Sequence, residues 1–228
     1  MLNNAIFLGI ASSAGRRPYT FVALDSRVRV LAWGNGTQSD VLAFAAGQSS
    51  ALAAVSPPAR AHLEAQGEPT DFQPGLGFTL PADQPAGPAW LRSLSALIEQ
   101  FQALDYRPFF DGEASRQWLA VHAETAYASL LGRSPLPAGT LEGRMQRQLA
   151  LFEDGEERLD LRDPMDFFEE ITRFKLLRGT LPVESILTQL ELEAMMAAYT
   201  AWLAVNRPAR LSRREEAFPF YIPTQRSA

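Results

Sequence analysis

Short apolar runs dominate the first half of the chain, and longer helical periodicities dominate the second. Ala5-Ile6-Phe7-Leu8-Gly9-Ile10 is apolar without alternation, as expected of a strand buried on both faces. After a polar turn from Ser12 to Pro18, which carries Arg16 and Arg17, comes Tyr19-Thr20-Phe21-Val22-Ala23-Leu24. Asp25-Ser26 then makes a tight connection to Arg27–Trp33, where Arg27 and Arg29 alternate with Val28 and Val30. Three strands on short links predict an antiparallel meander. Gly34-Asn35-Gly36 reads as the turn that ends it, because it lacks the lysine and the glycine spacing of a phosphate loop. A helix capped by Ser39 or Asp40 is predicted through Gln48, with Val41, Phe44 and Ala45 on one face. Leu52-Ala53-Ala54-Val55 is a fourth, buried strand. A helix over Ala89–Leu104, striped by Leu91, Leu94, Ile98 and Phe101, leads to a fifth strand at Trp118–Val121. The intervening helix predicts that the fourth and fifth strands are parallel.

The remainder is predicted to be helical. In a helix over Leu141–Phe152, Leu141, Met145, Leu149 and Phe152 share a face that leaves Arg144 and Arg147 directed elsewhere. The next helix is expected to start at Asp163, with Pro164 at its first position, and to end at Gly179. Phe167, Ile171 and Phe174 would form its apolar stripe, and Glu169 and Arg173 an i,i+4 pair. A last helix is predicted over Gln189–Val205, stopped by Pro208, with Phe218–Pro223 as a small edge strand or docked tail. The Pro- and Gly-rich stretch at about 56–88 is a long surface insertion. One domain over 1–228 follows, with a helical extension at about 141–182.

Composition narrows the chemistry. The chain has no Cys, which removes thiol nucleophiles and thiolate metal sites, and only two His, His62 and His122. No apolar run reaches the roughly 18 residues that span a bilayer, and Met1-Leu2-Asn3-Asn4 offers no basic start to a signal, so a cytoplasmic protein with no membrane partner is expected. The net charge of −5 argues against tight electrostatic binding of nucleic acid.

Four signals in order point to a family: Glu142-Gly143-Arg144-Met145-Gln146-Arg147-Gln148; Asp163-Pro164-Met165-Asp166-Phe167-Phe168-Glu169-Glu170-Ile171-Thr172-Arg173; Leu181-Pro182; and Glu193-Ala194-Met195-Met196-Ala197-Ala198-Tyr199-Thr200-Ala201-Trp202. This order resembles that of an uncharacterised bacterial family of predicted ribonuclease H-like nucleases. The resemblance implies a mixed α/β sheet, with three antiparallel strands followed by parallel ones and flanked by helices. The element order read from hydrophobic pattern agrees. Nucleases of this kind hold Mg²⁺ or Mn²⁺ on carboxylates from adjacent strand ends and the closing helix. Where such relatives read Gly-Ile-Asp, this chain has Gly9-Ile10-Ala11; where their fourth strand ends in Asp, it has Val55-Ser56. Acidic chemistry persists only at Glu124 and Glu193, the candidate catalytic positions, with Asp25 as a further acid.

Each candidate also has a structural reading. Glu193 lies about 60° from the apolar stripe of its helix, at the border of the core or in solvent. Glu124 begins a helix, where an acid favours the macrodipole. His122 reads as a hydrogen-bonded core histidine or a general base. Arg144 and Arg147 are candidates for substrate phosphate, or members of a solvated face. Methyl and hydroxymethyl groups at Ala11 and Ser56 cannot supply anionic ligands, so no metal ligand is assigned. The expectation is therefore a degenerate member that binds a nucleic-acid or protein partner without catalysis or cofactor. The alternative is an active Mg²⁺- or Mn²⁺-dependent phosphodiesterase using the remaining carboxylates.

Overall fold

A computed structural model describes residues 5–13, 18–57, 89–109, 114–155, 159–214 and 220–225. Most of the insertion at 56–88, with His62, lies outside them, as do Arg16, Arg17 and Phe218. The described chain forms one mixed sheet flanked by helices. Its first strands are β1 (Ile6–Ser12), β2 (Tyr19–Leu24) and β3 (Val30–Gly36), an antiparallel meander as the pattern predicts. Gly34-Asn35-Gly36 is not the turn after this meander but the end of β3 itself, paired with Phe21, Thr20 and Tyr19. Helix α1 (Gln38–Ala46) starts two or three residues earlier than the Ser39 or Asp40 cap predicts. Thr37 caps it, with Asp40 returning the bond in a capping box.

β4 (Ala51–Ser56) then pairs in parallel with β1. Helix α2 (Ala89–Ala103) and the two-residue β5 (Arg107–Pro108) lead to β6 (Arg116–Val121), which lies parallel to β4 as predicted. Helices α3 (Ala123–Leu131) and α4 (Leu141–Asp154) follow. The single helix expected over Asp163–Gly179 is instead two short ones, α5 (Asp166–Glu170) and α6 (Arg173–Leu177). Asp163 accepts a hydrogen bond from the Met165 amide, but Ile171 adopts an extended conformation that ends α5. The i,i+4 relation between Glu169 and Arg173 is thereby lost, and no ion pair joins them among the described residues.

The long helix α7 (Gln189–Asn206) starts at a Thr188–Glu191 capping box. The strands β7 (Leu211–Arg214) and β8 (Phe220–Pro223) close the chain. The sheet order is β3-β2-β1-β4-β6-β8-β7, with β5 joined to β6 off this path. β8 is thus an interior strand rather than an edge, flanked by β6 and by β7.

Strand alternation sends successive side chains to opposite layers. Leu8, Ile10, Ala53, Val55 and Trp118 pack with α1 and α2, whereas Phe7, Ala11, Ala54, Leu119 and Val121 pack beneath α3 and α7. α7 is buried almost all round, with residues 192–201 enclosed except at no more than a few atoms. Its Ala194 and Ala198 sit directly over Gly9, where an added Cβ would fall 2.0 Å from the Ala194 carbonyl oxygen and 2.3 Å from the Ala198 nitrogen. That close approach fixes the helix over β1 and carries Glu193 with it. Among the described residues no helix is long and apolar enough to cross a membrane.

Candidate functional site at the carboxyl ends of the parallel strands

Ala11 and Ser56 are Cα partners in the parallel β1–β4 pairing, one residue from the end of β1 and at the last residue of β4. Both are fully buried. Their parity puts them on the α7 side of the sheet, beside Val121 at the end of β6. The positions at which the sequence lacks carboxylates therefore adjoin one another. The Ser56 hydroxyl donates to the Pro57 carbonyl at 3.3 Å and accepts from the Ala123 amide at 3.4 Å, so it ties β4 to the start of α3.

His122 caps α3. Its Nδ1 accepts from the Thr125 amide at 3.1 Å and lies 2.7 Å from the Thr125 hydroxyl, an arrangement that leaves the ring proton on Nε2. The ring is 2% exposed. A histidine whose basic nitrogen already accepts the helix-capping bond has no lone pair there for proton abstraction.

In the first turn of α3, Glu124 meets Arg147 of α4. The Arg147 guanidinium lies 2.6 Å from Glu124 Oε1 and donates to the Leu136 and Gly143 carbonyls at 2.7 and 2.9 Å. It also sits 5.6 Å from the centre of the Tyr127 ring. Arg147 is 1% exposed, so its expected place on a solvated or substrate-facing helix surface is corrected: the guanidinium is internal and its donors are committed to the fold. Periodicity marks only the faces of one helix, whereas Arg147 finds its acid 23 residues away on another. Arg144, three residues earlier, does not join this group. Its side chain is half-buried, and its Nε is enclosed without a hydrogen-bond partner.

Glu193 lies behind the pair. It is 4% exposed, which corrects the solvated reading of its border position. A helix apolar on nearly every side leaves no wet border. Gln189 donates to its Oε1 at 2.8 Å, while Oε2 is enclosed with no hydrogen-bond partner. Burial raises its pKa to about 7, against the Gln189 hydrogen bond; Glu124 adds a further upward push and Arg147 a downward one. Tyr127 completes the cluster by donating to the Leu192 carbonyl at 2.8 Å. Burial raises its phenol well above its usual range, while Arg147 acts in the opposite sense.

Glu124, Glu193 and Arg147 are therefore brought together, and Asp25 is not. The antiparallel register sets Leu24 opposite Phe7, so Asp25 falls beyond the other end of β1 from Ala11. There it receives the Arg27 and Arg29 amides and pairs with the Arg29 side chain at 2.7 Å. These contacts outweigh its partial desolvation and hold its pKa below the usual value.

The donor set does not fit a divalent-metal centre. Such a cation calls for several anionic oxygens at short range. Here one carboxylate is engaged by an enclosed arginine, the second is buried with a pKa near neutrality, and the paired strand ends offer a methyl and a hydroxymethyl. Among the described residues no three acidic, histidine or cysteine side chains group closely enough to hold a metal. The arrangement is that of a polar clamp joining α3, α4 and α7. No family profile, curated protein or solved structure matches the chain.

Proposed function

We propose that this protein is a non-catalytic, cytoplasmic member of the ribonuclease H-like nuclease family that its sequence resembles, acting as a binding or scaffold protein. The observation that carries this reading is the pairing of Ala11 with Ser56 at the carboxyl ends of β1 and β4. Two-metal phosphodiester cleavage requires anions at such strand ends, and neither side chain supplies one. The surviving acids serve other ends: Glu124 neutralises Arg147, and Glu193 is enclosed where its proton is retained up to near-neutral pH. A net charge of −5 favours a protein partner over a polynucleotide.

The test is a nucleolytic assay in Mg²⁺ and in Mn²⁺ on single-stranded RNA and DNA, duplexes and hybrids, with Glu193→Gln in parallel. Neither protein is expected to cleave any substrate above the metal-only rate. Reproducible cleavage by the wild type that disappears in folded Glu193→Gln would instead establish a metal-dependent phosphodiesterase.

A further inference from the structure

The fold leaves the charge of Arg144 unanswered. Among the described residues its guanidinium makes no ion pair and no hydrogen bond, although its Nε is enclosed. Arg27, Arg107, Arg133, Arg173 and Arg207 also lack such partners there, but all five stand exposed. Arg116, Arg147 and Arg210 are withdrawn from solvent, and each donates to carbonyls or a carboxylate. Arg144 is half-buried with nothing to donate to.

Its place on α4 accounts for the withdrawal. At 100° per residue, Arg144 stands about 20° from Leu151 and about 40° from Gln148 around the helix axis. Gly143, Arg147, Gln148 and Leu151 are the buried residues of this helix, and Arg144 falls within the arc they define. Glu142 and Glu153, on the opposite side, are exposed. The same arc joins α4 to its neighbours: Arg147 holds Glu124 of α3, and Gln148 accepts from the Leu187 amide just before α7. The solvated face expected for Arg144 is therefore not where it lies.

A guanidinium partly removed from water without an acceptor is costly, and an orphaned polar group of this kind calls for a partner. The two terminal nitrogens are not enclosed, so they remain as a forked donor. Such a fork fits a carboxylate or a phosphate. Charge decides between them. Arg147 is neutralised by Glu124 and committed to two carbonyls, so no second uncompensated cation stands on this arc. One positive charge matches a monoanion, whereas a phosphate monoester carries about −1.5 to −2 at neutral pH.

We propose that Arg144 anchors a ligand site that takes a carboxylate group. The inference deepens the binding role proposed above, and it rests on that role only for the carboxylate's source, an acidic side chain of a protein partner. A free carboxylic acid would engage the same fork. The phosphate expected of Arg144 from sequence gives way to a singly charged ligand.

In a nitrogen–proton correlation spectrum of the full chain, the enclosed Arg144 Nε–H should give its own resonance, identified by its loss in Arg144→Met. Sodium acetate, compared with sodium chloride at matched ionic strength, should shift that resonance and the neighbouring α4 amides saturably. The dissociation constant should be on the order of 10–100 mM, the range that charge-assisted hydrogen bonds to one group support. A blocked tripeptide with a central glutamate separates the sources. Tighter binding than acetate assigns the carboxylate to a protein side chain, and equal or weaker binding assigns it to a free acid. Arg144→Met keeps the apolar stem and deletes only a charge that answers nothing in the fold, so its thermal midpoint should equal or exceed that of the wild type. A midpoint several degrees lower would show that the guanidinium serves the fold, and would overturn the proposal. So would α4 signals that acetate moves no more than chloride does, an acetate response retained in Arg144→Met, or phosphate binding tighter than acetate. Nucleolytic activity reads a different property: cleavage would remove the non-catalytic reading and leave this site standing, and silence at Arg144 would do the reverse.

Discussion

The Arg147 guanidinium lies 2.6 Å from the Glu124 carboxylate, yet only one of the two partners reaches water: their side chains are 2% and 21% exposed, respectively. The pair is therefore asymmetric, with a caged cation held by a half-wet anion. Removing one partner of a buried pair costs about 3–5 kcal/mol, because the other is left without compensation. Arg147→Ala also frees the Leu136 and Gly143 carbonyls, and should lower unfolding free energy by at least about 3 kcal/mol. Replacing both partners, as Arg147→Met with Glu124→Leu, should recover much of that loss, since hydrophobic substitutes avoid the desolvation cost. Urea denaturation of the wild type and these two variants measures both effects.

Glu193 gives the fold a pH dependence of defined sign. Its folded pKa is about 7, above the ordinary value of 4.5, so the folded state holds the proton more tightly than the unfolded chain. The resulting stability is fully present below about pH 4.5 and is lost as pH rises through about 7. The loss across that window is on the order of 3 kcal/mol. Glu193→Gln removes the titration and should flatten this component of the profile, leaving the variant relatively more stable at pH 8. Parallel urea titrations of wild type and variant between about pH 5 and pH 8 isolate the difference. Equal slopes would show that Glu193 does not titrate in this window.

Gly9 should tolerate no side chain. A methyl group there would overlap the α7 backbone, and backbone cannot rotate aside as a side chain can. Gly9→Ala is expected to cost about 3 kcal/mol or more, at or beyond the upper end for overpacked sites. Gly139, where an added Cβ meets nothing within 4 Å, is the control. A thermal-denaturation midpoint for Gly9→Ala indistinguishable from that of Gly139→Ala would contradict the close contact of α7 with β1.

Thr188 holds the start of α7 by accepting from the Glu191 amide, while Glu191 accepts from the Thr188 amide. Thr188→Ala should cost about 1 kcal/mol, with Thr188→Ser nearly neutral. Denaturant midpoints of the two variants separate the capping hydroxyl from the lost methyl group.

The parts of this structure legible in the sequence are those governed by local pattern. The uninterrupted apolar runs at Phe7 and Leu52 gave buried parallel strands, and the long apolar helix gave α7, within a residue or two of its ends. Resemblance and hydrophobic pattern together led to the mixed sheet, and register then set Ala11 beside Ser56. What escaped depends on distant partners or on conformation without a marker residue. β7 is four residues containing Ser212, Arg213 and Arg214, with no apolar run to announce it. The break at Ile171 has neither proline nor glycine at the break itself. Arg147 looked like a surface residue because its acid, its two carbonyl acceptors and its aromatic neighbour meet only after α3 and α4 have packed.

The late addition of β8 beside β6 has a consequence for solubility. Without it, β6 would leave much of its outer side open, a row of bare amides and carbonyls bordering an apolar strand. In the folded chain β5 covers Gln117 and Trp118 at one end of that side, and β8 covers Ala120 and Val121 at the other. The exposed rim passes instead to β7, which is short, carries arginines and offers little to a strand from another molecule. The eight residues of β7 and β8 thus act as a guard against edge-to-edge aggregation, and removing them should leave β6 open to strands of other molecules.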